Sequence, residues 1–255
     1  MLTTNQLKDF SKILKINDSV VAREYIQTLF LKELYEEKYS QNIFFKGGTA
    51  IRLIFGGSRF SEDLDFTVNE NIEDFNNFIN KFFRKVNKLH GFTFKKRITI
   101  TGLKYLLTAN SDNANHSVFI SLDFSFREKV LKPDQSIIIT PYPVIFTSFV
   151  RHLSAEEITA EKVRAIMTRN KGRDIYDLWF LLSKNISLKK DLIEEKLKYY
   201  QIKSFDQKAL MDRIRVFNRD KFVLDLRPFV PINERAKLPD FFDFTLAFIK
   251  TKLHS

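Results

Sequence analysis

Strand patterns and helix patterns occupy different parts of this chain. Short apolar or alternating runs predict strands at residues 42–45, 62–68, 92–100, 103–109 and 117–126. From about residue 154 the apolar residues recur at helical spacing, which predicts helices at residues 155–169, 174–183, 189–200, 205–217 and 239–253. This segregation indicates an α+β fold with a sheet-containing domain over residues 1–150 and a helical domain over residues 151–255.

Helical patterns also accompany the predicted strands. Two N-terminal helices are indicated by apolar residues spaced from Leu7 to Leu14, after Thr4 as a cap, and from Val21 to Leu29. A short helix is predicted over residues 49–55 and a longer one over residues 72–89. The sheet of the first domain is therefore expected to be flanked by helices.

The composition excludes several kinds of chemistry. The 255 residues contain no cysteine, so disulfides, iron–sulfur clusters, thiolate zinc sites and cysteine nucleophiles are all ruled out. The polar N-terminus lacks the apolar core of a signal peptide, and no apolar run is long enough to cross a bilayer, so we expect a cytoplasmic protein without membrane association.

The formal net charge of +11 favours an anionic partner such as a nucleotide or a nucleic acid. The larger part of this surplus lies in residues 151–255, which makes the helical part the favoured nucleic-acid surface. Solvated helix faces whose lysines contact nothing explain the same charge equally well.

The most informative acidic residues are Asp63 and Asp65. Strand alternation places both on one face of residues 62–68, with Cα atoms about 6.5–7 Å apart. Carboxylates this close repel each other unless a cation lies between them, and hard oxygen ligands suit Mg²⁺ or Mn²⁺. Asp123 lies on the polar face of a later apolar strand and is a candidate third ligand for a pair of metal ions.

Upstream of these carboxylates, Gly47 and Gly48 follow an apolar run and precede the helix predicted to begin at Thr49. Such a turn exposes backbone N–H groups that can hold a phosphate. A tight strand-to-helix connection without any ligand uses glycines in the same way.

A second polar group lies in the helical part. Lys162 and Arg169 share one helical face. The next helix carries Asp174, which can act as its N-cap, and Asp177 in its first turn. The functional alternative makes Lys162 a contact to nucleotide phosphate or leaving pyrophosphate, with Asp177 orienting it.

Together these motifs resemble the AbiEii/AbiGii toxin family, whose members are nucleotidyltransferase-like proteins of the DNA polymerase β-like superfamily. The resemblance rests on Gly47-Gly48-Thr49-Ala50, Arg59-Phe60-Ser61-Glu62-Asp63-Leu64-Asp65-Phe66, Ala160-Glu161-Lys162 and Arg173-Asp174-Ile175-Tyr176-Asp177-Leu178. It implies a mixed sheet that carries a metal site, flanked by helices and followed by a helical region that closes over a nucleotide.

The resemblance also implies roles for individual residues. Asp63 and Asp65 would bind Mg²⁺ or Mn²⁺, and Asp123 would follow from the superfamily pattern as the third ligand. The turn of Gly47, Gly48 and Thr49, with Ser61, would hold the phosphates of a nucleoside triphosphate, while Lys162 and Asp177 would act in catalysis. The implied reaction transfers a nucleoside monophosphate to an acceptor, either RNA such as the 3′ end of tRNA or a protein, and several family members are toxins with a cognate antitoxin.

Two other functions stay open at this point. The sequence Asp63-Leu64-Asp65-Phe66-Thr67 also fits the nucleophile motif of haloacid-dehalogenase-like phosphatases, although no buried apolar strand precedes it and the later acidic pair is missing. A catalytically silent protein that keeps the fold as a nucleic-acid or partner-binding scaffold is the second alternative.

Overall fold

The chain divides into two compact units in a computed structural model that describes residues 1–97, 99, 102–110 and 117–254. The first unit comprises Met1–Gly56 and Phe60–Leu153, and the second comprises Gly57–Arg59 together with the chain from Ser154 onward. Within the described residues, no helix combines the length and the apolar character that crossing a membrane requires.

In the residues that the structure describes, the first unit contains the sheet, four α-helices and a short 3₁₀ helix at Lys38–Asn42. Its elements, in chain order, are α1 (Thr4–Leu14), α2 (Asp18–Tyr35), β1 (Ile43–Lys46), α3 (Gly47–Leu53), β2 (Leu64–Val68), α4 (Ile72–His90), β3 (Thr93–Arg97), β4 (Leu103–Ala109), β5 (Val118–Ser125), β6 (Pro133–Ser136) and β7 (Val150–Leu153). The seven strands found among the described residues are ordered β3-β4-β5-β2-β1-β7-β6. The sheet is mixed, because β2 pairs with β5 and β1 with β7 in parallel while the other pairs are antiparallel.

The second unit is helical apart from the Gly57–Arg59 segment. It contains α5 (Ala155–Thr168), α6 (Gly172–Ser183), α7 (Lys190–Lys198), α8 (Gln207–Arg215), α9 (Arg219–Leu226) and α10 (Leu238–His254), with short 3₁₀ turns at Arg227–Phe229 and Ile232–Lys237. Ser154 caps α5 by accepting a hydrogen bond from the backbone N–H of Glu157. Apolar faces of these helices pack into one core around Leu178, Leu210 and Phe222.

The predicted α+β class, with a mixed sheet, flanking helices and a helical C-terminal part, is confirmed. Two strands, β6 and β7, were not predicted, because their sequences PDQS and VRHL are too short and too polar to show a period. The predicted strand over residues 92–100 is described only as far as Arg97, since positions 98 and 100 lie outside the described residues. The N-terminal cap is Thr3 rather than Thr4.

Aromatic side chains fill the core on one face of the sheet. Phe66 and Phe124, on neighbouring strands, stack with ring centroids 4.9 Å apart. Phe75 of α4 lies against Phe124 at 4.8 Å, so α4 covers this face. Because side chains alternate along a strand, the charged residues that neighbour Phe66 and Phe124 in sequence emerge on the opposite face.

Candidate active site

A row of charged residues crosses the centre of the sheet. Asp65 on β2 is in register with Asp123 on the parallel neighbour β5. Lys46 on β1 pairs with Asp65 from the other side, and Lys104 on β4 pairs with Asp123. Register partners share a face and lie about 4.8 Å apart. The two carboxylates are therefore adjacent, with a cation on each flank.

Asp63 is exposed and lies just before β2 begins. Its backbone carbonyl accepts a 2.5 Å hydrogen bond from the hydroxyl of Thr49, a buried residue of α3. The carbonyl of Ser61 accepts a 3.2 Å hydrogen bond from Gln27 of α2. These contacts hold the segment that leads into β2, and the predicted roles of Thr49 and Ser61 toward a nucleotide stay predictions.

Gly47 makes room for the Asp65 carboxylate. The sequence predicts a helix from Thr49, but α3 begins at Gly47, so the glycine pair forms its first turn, with Gly47 at φ +81°. A Cβ atom at Gly47 would lie 2.2 Å from Oδ2 of Asp65, far closer than a non-bonded carbon and oxygen can approach. A side chain at position 47 would therefore displace the carboxylate.

We expect Gly47→Ala to impair the carboxylate site, whereas Gly56→Ala should not. Gly56 also has a positive φ, +73°, but a Cβ atom there meets nothing within 4 Å. Each variant should lose about 1 kcal/mol of stability through the left-handed backbone, since an L side chain disfavours that conformation. Only Gly47→Ala should weaken Mg²⁺ binding, by about tenfold or more, measured by isothermal titration. Equal Mg²⁺ affinity in the two variants would show that the close approach of Gly47 to Asp65 has no part in the site.

The donor set is chemically suited to a divalent metal ion. Asp63, Asp65 and Asp123 offer carboxylate oxygens, the ligands that Mg²⁺ and Mn²⁺ prefer. Asp123 also forms a 2.6 Å ion pair with the ammonium group of Lys104. The hydrogen bond to Asp123, together with the charges of Asp65 and Asp63, raises the pKa of Lys104. Over the part of the chain that the structure describes, no three acidic or histidine side chains are close enough together to hold a metal ion as they are placed.

The second unit contains a buried network of opposite charges. Asp177 of α6 accepts two 2.6 Å hydrogen bonds from the guanidinium group of Arg59 and lies 2.7 Å from the ammonium group of Lys162. Asp174, one helical turn earlier, lies 3.4 Å from Lys162 and accepts hydrogen bonds of 2.7 and 2.8 Å from Arg169. All of these side chains except that of Arg169 are buried.

The cations keep both aspartates ionised inside the protein. Burial alone raises the pKa of Asp174, but the charge of Lys162 and the hydrogen bonds from Arg169 outweigh burial and lower the pKa from 3.8 to about 2. Burial likewise opposes ionisation of Asp177, yet Arg59 and Lys162 lower its pKa below the ordinary value. Buried charges are costly unless they are paired, so each member of the network depends on the others.

Lys162 and Asp177, for which the sequence predicts catalytic roles, lie in contact with each other. For Arg59 the sequence predicts no role. The interpretation of Asp174 as a helix cap is wrong, because α6 begins at Gly172 and Asp174 lies inside its first turn. One feature of the sequence could have indicated the buried charge network. Asp174 and Asp177 are three residues apart on an otherwise apolar helix, so they share a face and need cationic partners when they are buried.

Two solved structures share the fold of this chain. MenT4, a nucleotidyltransferase toxin from Mycobacterium tuberculosis H37Rv, superposes with a TM-score of 0.57 and 18% identity over 91% of this chain and 84% of that chain. JHP933 from Helicobacter pylori superposes with a TM-score of 0.53 and 22% identity over 94% of this chain and 97% of that chain. The chain therefore shares its fold with a nucleotidyltransferase toxin.

The sequence itself identifies the family. The family model described as "Nucleotidyl transferase AbiEii toxin, Type IV TA system" matches residues 29–244. The chain therefore belongs to the AbiEii family of type IV toxin–antitoxin nucleotidyltransferases, as its motifs predicted. The search of curated proteins gave no match.

Proposed function

We propose that this protein transfers a nucleoside monophosphate from a nucleoside triphosphate to an RNA acceptor, such as tRNA, or to a protein acceptor. It would do so as the toxin of a toxin–antitoxin pair, with a cognate antitoxin as partner. The observation that carries the proposal is the register of Asp65 with Asp123 on adjacent parallel strands, beside the glycine that admits the Asp65 carboxylate. Family membership supports the reaction class.

Asp63, Asp65 and Asp123 would hold Mg²⁺ or Mn²⁺ in a two-metal arrangement. When bound, these ions neutralise charge on the phosphates and lower the pKa of an acceptor hydroxyl. The acidic residues of the chain would position the ions, and the Gly47–Gly48 turn and Ser61 would bind phosphate oxygens. Lys46, which is buried next to Asp65 in register, would limit the repulsion between the carboxylates.

In the second unit, Lys162 and Asp177 are proposed to act in catalysis, as the family resemblance implies. Asp177 holds the ammonium group of Lys162 at 2.7 Å, so the carboxylate can orient that cation. The proposal that residues 151–255 complete an active-site cleft rests on the sequence resemblance alone.

A transfer assay tests the proposal directly. The protein would be incubated with each labelled nucleoside triphosphate, Mg²⁺, and either total RNA or total protein as acceptor. We expect label in one acceptor class, Mg²⁺-dependent and absent with Asp63→Ala; mass spectrometry of the labelled product would identify the acceptor. If no nucleotide is transferred, and if Asp63→Ala is indistinguishable from the wild type, the proposal is wrong.

The second candidate function is a catalytically silent binding protein. The Lys104–Asp123 ion pair favours it, because a cation of the protein itself already occupies one carboxylate. Calorimetry separates the two functions: an enzyme binds Mg²⁺ and a nucleoside triphosphate, whereas a scaffold binds RNA without either. The phosphatase alternative is no longer supported, because the nucleotidyltransferase family model matches residues 29–244 and therefore includes the Asp63–Asp65 motif.

A further inference from the structure

The sheet has one open face on its β3-β4-β5 side. The other face of these strands is covered, because Phe83 of α4 stacks on Phe94 of β3 at 3.8 Å and contacts Tyr105 of β4 at 4.9 Å. Side chains that alternate with these core residues are exposed or half-exposed. Asp123 belongs to this second set, so the open face begins at the carboxylates and continues outward to the edge strand β3.

Three cations lie on the open face. Lys104 is next to Asp123, and Arg97 is the register partner of Lys104 on β3. Lys95 lies two residues before Arg97 and thus on the same side. Both β3 cations are exposed, and among the described residues neither forms an ion pair with an acidic side chain. Positive charge therefore flanks the carboxylates on a continuous surface.

An aromatic side chain stands on the same face. Phe119 of β5 is 52% exposed. It lies four residues from Asp123 on one strand, an even number, so both side chains project from the same face about 13 Å apart. The register partner of Phe119 is Thr108, a small side chain that leaves the ring accessible. An exposed phenylalanine beside cations gives a surface on which a base can stack while its phosphates are neutralised.

We propose that this open face, defined by Lys95, Arg97, Lys104 and Phe119, binds the single-stranded end of an RNA acceptor. The inference rests on the proposed function and specifies where its acceptor lies. Lys95 and Arg97 contact phosphates, and Phe119 stacks on a base that is free of pairing, because bases in a duplex do not offer their faces. The adjoining carboxylates then lie at the end of the bound strand, where the acceptor hydroxyl is needed.

Binding of a fluorescein-labelled 12-nucleotide oligouridine tests this surface. The full-length protein is titrated by fluorescence anisotropy over a range of salt concentrations, with EDTA present and nucleotide absent, so that the result does not depend on transfer. Lys95→Gln/Arg97→Gln should bind about tenfold more weakly, and the slope of log K against log salt should fall by about 1.4, because each lost phosphate contact contributes about 0.7. Lys104 stays unchanged because it contacts a metal-site carboxylate.

A matched control removes the same charge elsewhere in the unit. Lys81 and Arg84 are exposed on α4, which covers the opposite face of the sheet. Lys81→Gln/Arg84→Gln should retain the wild-type affinity and salt slope. If both double variants bind oligouridine equally, the open face is not the RNA surface, even if the transfer assay succeeds. If transfer fails while the β3 variant loses RNA affinity, the proposed function is wrong and the RNA-binding surface remains.

Substitution of Phe119 tests whether the open face binds RNA or an acidic protein, because only RNA has bases that stack on the ring. Phe119→Ala should weaken oligouridine binding about tenfold, since losing base stacking has an effect of this order, whereas Phe119→Tyr should bind as the wild type does. Binding of a labelled polyglutamate peptide should not change in Phe119→Ala. A Phe119→Ala variant that binds oligouridine normally would overturn the assignment to RNA and leave only a general polyanion surface.

Discussion

Asp65→Asn should lower the rate of nucleotide transfer by about 10³-fold without unfolding the protein. Asparagine keeps the shape of the side chain over Gly47 but removes the charge with which it would hold a metal ion. Metal assistance to phosphoryl transfer contributes several kcal/mol, and every 1.4 kcal/mol is a factor of ten in rate. The substitution removes a repulsion with Asp123 and an attraction to Lys46, and because these two changes have opposite signs, stability should stay within about 1 kcal/mol of the wild type.

The measurement is single-turnover transfer at saturating Mg²⁺, with thermal unfolding of the same samples. Asp134→Asn is a suitable control, because Asp134 is an exposed aspartate of edge strand β6 and lies outside the charged row. The control should transfer nucleotide at the wild-type rate. If Asp65→Asn retained more than a tenth of that rate, Asp65 would not be a metal ligand of the reaction.

Asp174→Asn should destabilise the second unit by about 2 kcal/mol at pH 7, and the difference should disappear in acid. The lowered pKa of Asp174, about 2 against 3.8 in an ordinary environment, corresponds to that free energy. A carboxyl whose pKa is lower in the folded state stabilises the fold above pH 4, and the contribution is lost as the pH falls toward 2. Asparagine does not titrate in this range, so only the wild type loses this contribution.

Fluorescence of Trp179 makes the measurement specific to the second unit. It is the single tryptophan of the chain and lies on α6, the helix that also carries Asp174. Urea unfolding would be followed at pH 7, 4, 3 and 2, because the contribution is lost only as the pH approaches the folded-state pKa of about 2. Asp212→Asn is the control, since Asp212 forms an exposed ion pair with Arg215, and such pairs contribute less than about 1 kcal/mol. A pH-independent gap between wild type and Asp174→Asn would refute the electrostatic origin of the stabilisation.

The fold class could be predicted because the spacing of apolar residues within a short stretch of sequence indicates whether that stretch is a strand or a helix. The segregation of strands and helices, the polar face shared by Asp63 and Asp65, and the polar position of Asp123 all follow from alternation or helical spacing. Strands β6 and β7 could not be found this way, because four residues are too few to establish a period.

Other parts of the candidate site could not be predicted from the sequence. They depend on strand register and on contacts between residues far apart in the chain, and local sequence patterns contain neither. The Lys104–Asp123 ion pair follows from the alignment of β4 with β5, and a lysine on a strand gives no sign of its partner. Arg59 and Asp177 are 118 residues apart in the sequence. No local pattern could therefore predict that they form an ion pair. The phosphate-binding role predicted for Gly47 stays a prediction, and the close approach of Gly47 to Asp65 could be found only from side-chain positions.

The short Gly57–Arg59 segment determines which fragments of this protein can be studied separately. Because these three residues belong to the second unit, the chain passes between the two units three times rather than once. A fragment that begins at Ser154 would carry Asp177 without the guanidinium group that pairs with it. Studies that need the helices alone would therefore have to join residues 57–59 to them through a designed connection, or replace Asp177 with a neutral residue.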